Sequence, residues 1–261
     1  KKNLKLPNFF ASLGRIIMKK TAIIIPSRLG AQRLPNKPLK MINKKEMILH
    51  VYDAAVKSNT GEVYVATPDK KIIEIVKNYG GNAILTSDTH ETGTDRVFEV
   101  FKSLNENPSI IVNLQGDMPN INPDAINLLV NYMSQDKCDI GTLASEINSK
   151  SEIEDKNIVK VLLKEKIKPG MFVDALDFVR HVPNKEYKIY HHIGIYAFTN
   201  EALLRYVNLK RSKLELERKL EQLRAVENSM SIHVGYINSS PLSVDTEKDL
   251  ADIKQLMEKN E

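Results

Sequence analysis

The sequence predicts an α/β fold in which helices cover both faces of a mostly parallel, Rossmann-like sheet. Two observations lead to this prediction. In the first half of the chain, short apolar runs alternate with amphipathic segments of helical spacing, as in parallel strands joined by helical crossovers. In the second half, strand candidates follow one another more closely, which indicates a second lobe of mixed strand direction. No Gly/Ser/Pro-rich linker or internal repeat separates the two halves.

The elements of the first half follow from local signals. The segment TAIIIP at 21–26 is a β-branched run that ends at a proline, which is typical of a buried strand. The pair Gly80-Gly81 is a stop signal for the helix that precedes it. The predicted strands are 21–26, 62–67, 82–86 and 109–114, and the predicted helices are 46–58, 69–79, 94–104 and 123–135. Because ligands bind at the carboxyl ends of parallel strands, we expect the chemistry in the loops after residues 26 and 114.

The second half supplies the remaining elements and the limits of the domain. The predicted strands are 138–147, 157–164, 171–179, 189–198 and 231–237, and the predicted helices are 199–207, 214–227 and 246–258. Residues 1–17 carry four basic residues and no acidic one, and Met18 then opens a segment that reads like the start of a protein. We therefore expect 1–17 to be an extension outside the fold, with a targeting segment as the alternative, and 18–261 to form one domain.

Composition and charge exclude several classes of function. The chain has 261 residues, 42% hydrophobic and 27% charged, which is typical of a globular protein. Its single cysteine, Cys138, excludes a disulfide framework and a cysteine-based zinc cluster, and favours the reducing cytoplasm. No run of 18 apolar residues is present to insert into a membrane. The net charge is +5, but the four basic residues of 1–17 supply most of it, so bulk charge does not indicate a nucleic-acid partner.

A basic loop follows the first predicted strand. It contains Arg28, Arg33 and Lys37 within ten residues, and two prolines stiffen the backbone on either side of Lys37. Three cations at the carboxyl end of a strand suit a ligand with several negative charges, because guanidinium groups and ammonium groups both bind phosphate oxygens. The loop is neither a Walker A motif nor a Gly-x-Gly-x-x-Gly fingerprint. A surface loop with incidental prolines is the alternative interpretation.

Two aspartates are candidate ligands of a hard cation. Asp117 closes the fourth predicted strand, where a carboxylate can hold Mg²⁺, and Asp245 precedes the last predicted helix. Each also has a purely structural interpretation, since Asp117 suits a turn and Asp245 or Thr246 suits a helix cap. The spacing alone does not show that residues 117 and 245 meet.

Taken together, these segments resemble one enzyme family. They are IIIPSRLGAQRLPNKPL (23–39), TGTDR (92–96), VNLQGDMP (112–119), HIGIYAF (192–198), LEQLR (220–224) and SVDTEKDL (243–250). Their order resembles that of the 3-deoxy-manno-octulosonate (KDO) cytidylyltransferase family, over about residues 19–258. Three positions depart from the family pattern: Ala31 stands for the usual serine, Asn36 for a frequent glycine, and Met118 for a common glutamate.

The resemblance implies a nucleotide-diphospho-sugar transferase fold, a cytoplasmic homodimer, and the transfer of CMP from CTP to KDO with Mg²⁺ for lipopolysaccharide synthesis. It implies that Arg28 and Lys37 act in catalysis and, with Arg33, bind the nucleotide. It also implies that Asp117 and Asp245 bind the metal, with Asp117 counted among the catalytic residues. No covalent nucleophile is needed, so we expect Cys138 to be a small buried residue.

The resemblance assigns the sugar and the base to further residues. The implied sugar-binding residues are Gln115, His192, Tyr196, Glu221 and Gln222, and Arg96 is a candidate contact for the base or ribose. The alternatives stay open: a packed histidine and tyrosine at a dimer seam, an exposed helical pair of Glu217 with Glu221, and an ion pair of Arg96 with Asp95 or Glu99. The alternative functions are a cytidylyltransferase for another sugar acid, such as sialic acid or 8-amino-KDO, and a nucleotide-binding module without turnover.

Overall fold

The computed structural model describes residues 20–30, 33–182 and 187–259. The predicted extension at 1–17 and Ala31 lie outside the described residues. Up to the middle of the chain, the elements are β1 (Thr21–Pro26), a 3-10 turn (Lys37–Leu39), β2 (Met41–Ile42), β3 (Lys45–Glu46), α1 (Met47–Lys57), β4 (Glu62–Thr67), α2 (Lys70–Asn78), β5 (Asn82–Leu85), α3 (Gly93–Ser103), β6 (Ile110–Leu114) and α4 (Pro123–Met133).

The second half adds a comparable number of elements. They are β7 (Ile140–Ser145), α5 (Lys150–Glu154), β8 (Lys160–Leu163), β9 (Phe172–Asp174), β10 (Asp177–Val179), β11 (Lys188–Thr199), α6 (Asn200–Val207), α7 (Lys213–Arg218), α8 (Leu223–Glu227), β12 (Ile232–Tyr236) and α9 (Glu247–Glu258).

One large sheet runs through both halves, in the order β5-β4-β1-β6-β11-β7-β12-β9, and β8 pairs with both β11 and β10. Strands β5, β4, β1 and β6 are parallel, which confirms the prediction for the first half. Beyond β6 the direction is mixed, because β11 runs antiparallel to both β6 and β7, whereas β12 runs parallel to β7. The mostly parallel sheet with a mixed second lobe is therefore confirmed.

Strand β1 shows why the first half reads as apolar runs. Ile23 and Ile25 belong to the core on one face of the sheet, whereas Ala22 and Ile24 belong to the core on the other face. A strand that is buried on both faces has no polar alternation, so its sequence is continuously hydrophobic. The carboxyl ends of β1, β4 and β6 share one edge, since Pro26 pairs with Ala66 and Ile24 pairs with Asn113.

Two predicted elements of the second half are wrong in their continuity. The strand predicted at 171–179 is two strands, β9 and β10, which pair with different partners. The helix predicted at 214–227 is two short helices, α7 and α8. Lys219 ends α7 in the left-handed conformation, at φ 54°, and therefore turns the chain. The prediction also missed α5 and the β2–β3 hairpin, whose turn residues Asn43 and Lys44 both have positive φ.

A buried ion pair holds α7 and α8 together. Glu215 and Arg224 have side chains that are 1% and 3% exposed, and Arg224 donates two hydrogen bonds to the Glu215 carboxylate, at 2.8 and 2.7 Å. Arg211 Nε and the Ser212 N–H also donate hydrogen bonds to the Glu215 carboxylate. Although burial alone raises the pKa of Glu215, these hydrogen bonds hold it below its ordinary value. The segment between the two helices, which carries Glu221, therefore has a rigid frame.

We expect Glu215→Gln to lower the free energy of unfolding by about 2–3 kcal/mol, because the buried Arg224 guanidinium loses its charged acceptor while one amide oxygen remains. The control is Glu217→Gln, which removes an exposed carboxylate 3.8 Å from Lys213. It should cost less than about 0.5 kcal/mol. Denaturant unfolding of both variants measures the difference, and equal losses would contradict the assigned role of the Glu215 pair.

Candidate active site

A cavity of about 310 Å³ opens at the carboxyl ends of β1 and β6, where the sequence predicted the chemistry. Four predicted site residues that bind charge or metal line it: Arg28, Lys37, Arg96 and Asp117. Gln115 lines it as well. The remaining wall comes from the loop after β1, the loop before α3 and the turn after β6, through Pro26, Ser27, Pro38, His90, Glu91, Thr92, Gly93 and Gly116.

The basic loop is anchored to the neighbouring strand end. The Leu29 N–H donates a 2.8 Å hydrogen bond to the Asp69 carboxylate. Asp69 occupies the N-cap position of α2 but makes no side-chain cap there, so its carboxylate serves the loop instead of the helix. The Ser27 hydroxyl, at the same edge, is buried and has no hydrogen-bond partner among the described residues. Because Ser27 also lines the cavity, its hydroxyl is available to a ligand there.

Lys37 joins the two candidate metal ligands. Its ammonium donates hydrogen bonds of 2.9 Å to Asp117 and of 2.9 Å to Asp245, and its side chain is only 16% exposed. Asn36, which starts the 3-10 turn, has φ 56°. This left-handed conformation favours glycine or asparagine, which explains why the asparagine is accepted where related loops often carry glycine. The Lys37 ammonium therefore connects two segments that are distant in the sequence, at Asp117 and at Asp245.

The structural interpretation of Asp245 is wrong, and that of Thr246 is correct. Thr246 caps α9 through a capping box with Asp249, so the Asp245 carboxylate is free to face Lys37 and Arg33. The Val244 N–H donates to the Asp117 carbonyl at 2.9 Å and fixes the two segments against each other. The structure thus brings the carboxylates of Asp117 and Asp245 to the same Lys37 ammonium, which their spacing in the sequence could not show.

The charges of this cluster stabilise one another. Burial lowers the pKa of Lys37, but the two carboxylates outweigh it, and the pKa lies above its ordinary value. Burial likewise raises the pKa of Asp245, but Lys37 and Arg33 bring it below its ordinary value. Lys37 and Asp245 are therefore both charged at neutral pH. Met118, which replaces a common glutamate, is buried in the core beside them and adds no charge.

Arg96 lies in the cavity wall without either of the predicted ion pairs. Its Nη1 donates to the Thr86 hydroxyl and to the Ser87 carbonyl. Asp95 accepts instead from Thr92, and Glu99 accepts from His90 and the Ser87 N–H. Burial, and then the neighbouring charge of Arg28, lower the pKa of Arg96. Two cations that face one cavity favour a polyanionic ligand.

The predicted sugar-binding residues separate into two groups. Gln115 lines the cavity, and Glu221 approaches it, because its carboxylate accepts the Thr94 N–H beside the cavity residue Gly93 at 3.2 Å. The exposed pairing of Glu221 with Glu217 is wrong, because α7 ends before Glu221. Gln222 is buried at the start of α8, outside the cavity lining.

His192 and Tyr196 share one face of β11, as predicted, with ring centroids 5.4 Å apart. Neither lies in the described lining of the cavity. His192 packs edge-on against Phe178, and its Nε2 lies 2.9 Å from the hydroxyl of Thr142. The histidine is therefore a core residue of its own chain in the described structure. Cys138 is also buried, as expected, and burial raises the pKa of its thiol to about 12.

We expect stability to depend on His192 below neutral pH. Burial lowers the pKa of its imidazole to about 3, so the folded protein leaves it neutral while the unfolded chain protonates it below about pH 6.5. The free energy of unfolding should therefore fall by about 2 kcal/mol between pH 8 and pH 5 through this group alone. His192→Gln should reduce the measured pH dependence by that amount. An imidazole signal of His192 that titrates between pH 5 and 7 would contradict this prediction.

Sequence reasoning missed several residues of the site. His90 and Glu91 line the cavity, and Asp69 anchors the basic loop. A usable signal existed for His90 and Glu91, since they lie directly before the TGTDR segment in a loop after a predicted strand. No such signal existed for Asp69, because the N-cap position explains an aspartate there equally well.

Together, this parallel sheet and a cavity with convergent cations and carboxylates define the class of the nucleotidyltransferases. A family model described as cytidylyltransferase matches residues 22–232. The 3-deoxy-manno-octulosonate cytidylyltransferase of Brucella canis is 42% identical over 234 residues, which cover 88% of this chain and 93% of the relative. The enzyme of the same name from Brucella anthropi is 41% identical, with 88% and 94% covered. The chain belongs to the cytidylyltransferase family and, within it, to the 3-deoxy-manno-octulosonate cytidylyltransferases.

Solved structures agree with this membership. The structure of a CMP:2-keto-3-deoxy-manno-octonic acid synthetase complexed with CTP has a TM-score of 0.84 and 36% sequence identity, and covers 93% of this chain and 100% of that one. A 4-diphosphocytidyl-2C-methyl-D-erythritol synthase from Anaerococcus prevotii shares the fold alone, with a TM-score of 0.61 at 14% identity over 92% of this chain and 99% of that one.

Proposed function

We propose that this protein transfers CMP from CTP to 3-deoxy-manno-octulosonate, giving CMP-KDO and pyrophosphate for lipopolysaccharide synthesis. The observation that carries the proposal is the junction of Lys37 with Asp117 and Asp245 at a cavity that Arg28 and Arg96 also face. The names of the relatives favour KDO over the alternatives, sialic acid and 8-amino-KDO. A binding module without turnover is disfavoured, because the two carboxylates that we assign to the metal and the loop lysine are present and meet.

The cations of the basic loop suit the triphosphate. Arg28 and Lys37 line the cavity, and Arg33, which lies outside the described lining, joins the Lys37 cluster through its 3.0 Å pair with Asp245. The buried Ser27 hydroxyl, which has no partner in the described structure, adds a donor at the same edge. Because the loop is held through the Leu29 N–H, the charges are positioned before the nucleotide arrives, which lowers the entropy cost of binding.

Asp117 and Asp245 suit Mg²⁺. The fit rests on their chemistry and placement: both offer only carboxylate oxygens, and both reach a single ammonium at 2.9 Å, so they can serve one cation together. Mg²⁺ in phosphoryl-transfer sites is held by one or two carboxylates, with phosphate oxygens and waters completing the shell. When bound, the ion would offset the negative charge that develops on the phosphate oxygens.

The chain's own residues position the reaction and stabilise charge. The oxygen of the anomeric hydroxyl bonds to the α-phosphorus and its proton passes to water. The bond from the α-phosphorus to the oxygen that bridges to the β-phosphorus breaks, and pyrophosphate leaves with that electron pair. Catalysis of this kind depends on alignment and on preorganised cations, here Arg28 and Lys37. Arg96 has N–H groups besides Nη1 that lack a partner among the described residues, so it is our candidate for the ribose or base.

The sugar acid is placed at the Gln115 side of the cavity, next to Glu221. A polyol needs several hydrogen-bond partners, and these side chains supply acceptors and donors. For His192, Tyr196 and Gln222, which lie outside the described lining, the assignment as sugar ligands rests on the resemblance to the family. A cytoplasmic homodimer completes the proposal, and light scattering in solution tests the dimer. In the part of the chain that the structure describes, no helix is long and apolar enough to cross a membrane.

The deciding experiment is a pyrophosphate-release assay with CTP and Mg²⁺ against KDO, 8-amino-KDO and sialic acid. We expect turnover with KDO to exceed that with the other two acids, and we expect it to depend on the metal. Replacement of CTP by ATP, GTP or UTP gives the matched nucleotide control. Preference for another sugar acid would support the alternative, and binding of CTP without pyrophosphate release would overturn the proposal.

A further inference from the structure

A chain of buried hydrogen bonds joins three segments that are far apart in the sequence. Glu221 accepts the Thr94 N–H at 3.2 Å. Asn113 Nδ2 donates to the Thr94 hydroxyl oxygen at 3.1 Å. Gln115 Nε2 donates to Asn113 Oδ1 at 2.8 Å. Thr94 and Asn113 are only 3% and 1% exposed, so water does not compete for these bonds.

The bonds of this chain run in one order. The Thr94 backbone N–H can only donate, so the Glu221 oxygen bonded to it accepts. An amide NH₂ can only donate and an amide oxygen can only accept, so Asn113, which donates to the Thr94 oxygen, presents its carbonyl oxygen to Gln115. Gln115 in turn donates a hydrogen bond from its NH₂ group to the Asn113 oxygen.

The free end of the chain lies in the cavity. Gln115 lines the cavity, and no described residue donates to its Oε1. A Cβ placed on Gly93, which also lines the cavity, would lie 3.8 Å from Gln115 Nε2 and 3.9 Å from its Oε1, so the amide lies against this part of the cavity wall. A glutamine amide whose NH₂ is not held by a hydrogen bond, as that of Gln115 is held by Asn113, can turn either its oxygen or its NH₂ to a ligand.

We propose that Thr94 and Asn113 are positioning residues that hold Gln115 with its carbonyl oxygen in the cavity, so that the site recognises a substrate hydroxyl that donates a hydrogen bond. This inference rests on the proposed function, since the hydroxyl belongs to the sugar acid. This chain of hydrogen bonds from Glu221 through Thr94 and Asn113 to Gln115, the relay, favours a substrate with a hydroxyl at one position. It disfavours a group there that can only accept a hydrogen bond.

Substrate analogues test the direction of the bond without any mutation. Each non-anomeric hydroxyl of KDO is replaced in turn by hydrogen and by fluorine, which cannot donate. At one position, both replacements should lower kcat/KM about tenfold, because the Gln115 oxygen then lacks its donor. If at every costly position the fluorine analogue retained activity that the deoxy analogue loses, Gln115 would be presenting a donor, and the relay would be overturned.

Variants test the role of Thr94. Thr94→Val keeps the backbone N–H and the volume but removes the hydroxyl oxygen that accepts from Asn113 Nδ2. It should raise the KM for KDO about tenfold while the KM for CTP stays within about twofold. It should also lose the parent's preference for a hydroxyl over fluorine at the sensitive position of KDO. Thr94→Ser keeps the hydroxyl and should behave as the parent does.

The control is Thr199→Val, which removes a hydroxyl that caps α6 through the Ala202 N–H, away from the described cavity lining. It should lower the melting temperature and leave both KM values unchanged. Equal changes in both KM values for Thr94→Val, or a loss of stability alone, would assign Thr94 a structural role and overturn the relay. Absence of KDO turnover by the parent protein would overturn the proposed function and the relay together. If the parent turns over KDO and Thr94→Val keeps the parent's preference for a hydroxyl over fluorine, the relay alone is overturned.

Discussion

Lys37→Ala should lower kcat/KM by about 100- to 1,000-fold, the scale on which one preorganised charge stabiliser acts. Lys37 is the only lysine in the described cavity lining, and in the absence of nucleotide it holds two carboxylates at 2.9 Å each. Removing it takes a cation from the triphosphate and leaves Asp117 and Asp245 without the charge between them. Steady-state kinetics with CTP and KDO measure the loss.

The matched control is Lys40→Ala. Lys40 lies in the same stretch of chain and forms a 2.8 Å ion pair with Glu247, whose side chain is 68% exposed. Because this pair lies outside the described cavity lining, the variant should keep nearly parental kinetics. Near-parental kinetics for Lys37→Ala as well would return the basic loop to its interpretation as an incidental surface loop.

The charge cluster predicts how this part of the site responds to pH. The pKa of Lys37 is raised in the folded state, so its stabilising contribution is present below the unfolded value, near 10.5, and is lost as the pH rises through the folded value. The pKa of Asp245 is lowered, so its contribution is present above the unfolded value, near 3.8, and is lost as the pH falls through the folded value. The cluster is therefore intact across the neutral range and is lost only at the two extremes.

The parallel half of the fold was predictable because each of its strands carries its own signal. Strand β1 is apolar on both faces and ends at a proline, and the glycine pair after α2 marks the helix end. The second half offered weaker signals. Lys219 adopts φ 54° without being glycine or asparagine, so nothing in the sequence marks the break between α7 and α8. Such a conformation is held by tertiary contacts, here the buried pair of Glu215 with Arg224.

The candidate site was predictable where the residues lie on the loops of one sheet edge. Arg28, Lys37 and Asp117 follow strands whose order places them together. Asp245 could not be placed in this way, because it follows no strand of that edge, and its meeting with Asp117 depends on the Val244 N–H that bonds the Asp117 carbonyl. The buried relay from Glu221 to Gln115 depends on the pairing of three segments, which periodicity does not encode.

Asp117→Asn and Asp245→Asn should each lower Mg²⁺-dependent kcat/KM by about 1,000-fold, which corresponds to about 4 kcal/mol of transition-state stabilisation. If both carboxylates hold one ion, the second loss removes little that the first has left. The double variant should therefore lose far less than the product of the two single losses. Each asparagine also replaces a charged acceptor of Lys37 with a neutral amide oxygen, so the unfolding free energy should fall modestly in both, by about 1 kcal/mol.

Asp124→Asn is the matched control, since Asp124 is an exposed residue in the first turn of α4 and does not line the cavity. It should leave turnover at the parental level. Two carboxylates with separate structural roles would behave otherwise: their stability losses would add, and turnover would persist at raised Mg²⁺. Kinetics over a range of Mg²⁺ concentrations, with unfolding measured on the same four proteins, separate the two cases. Losses in kcat/KM that multiply in the double variant would overturn the shared metal site.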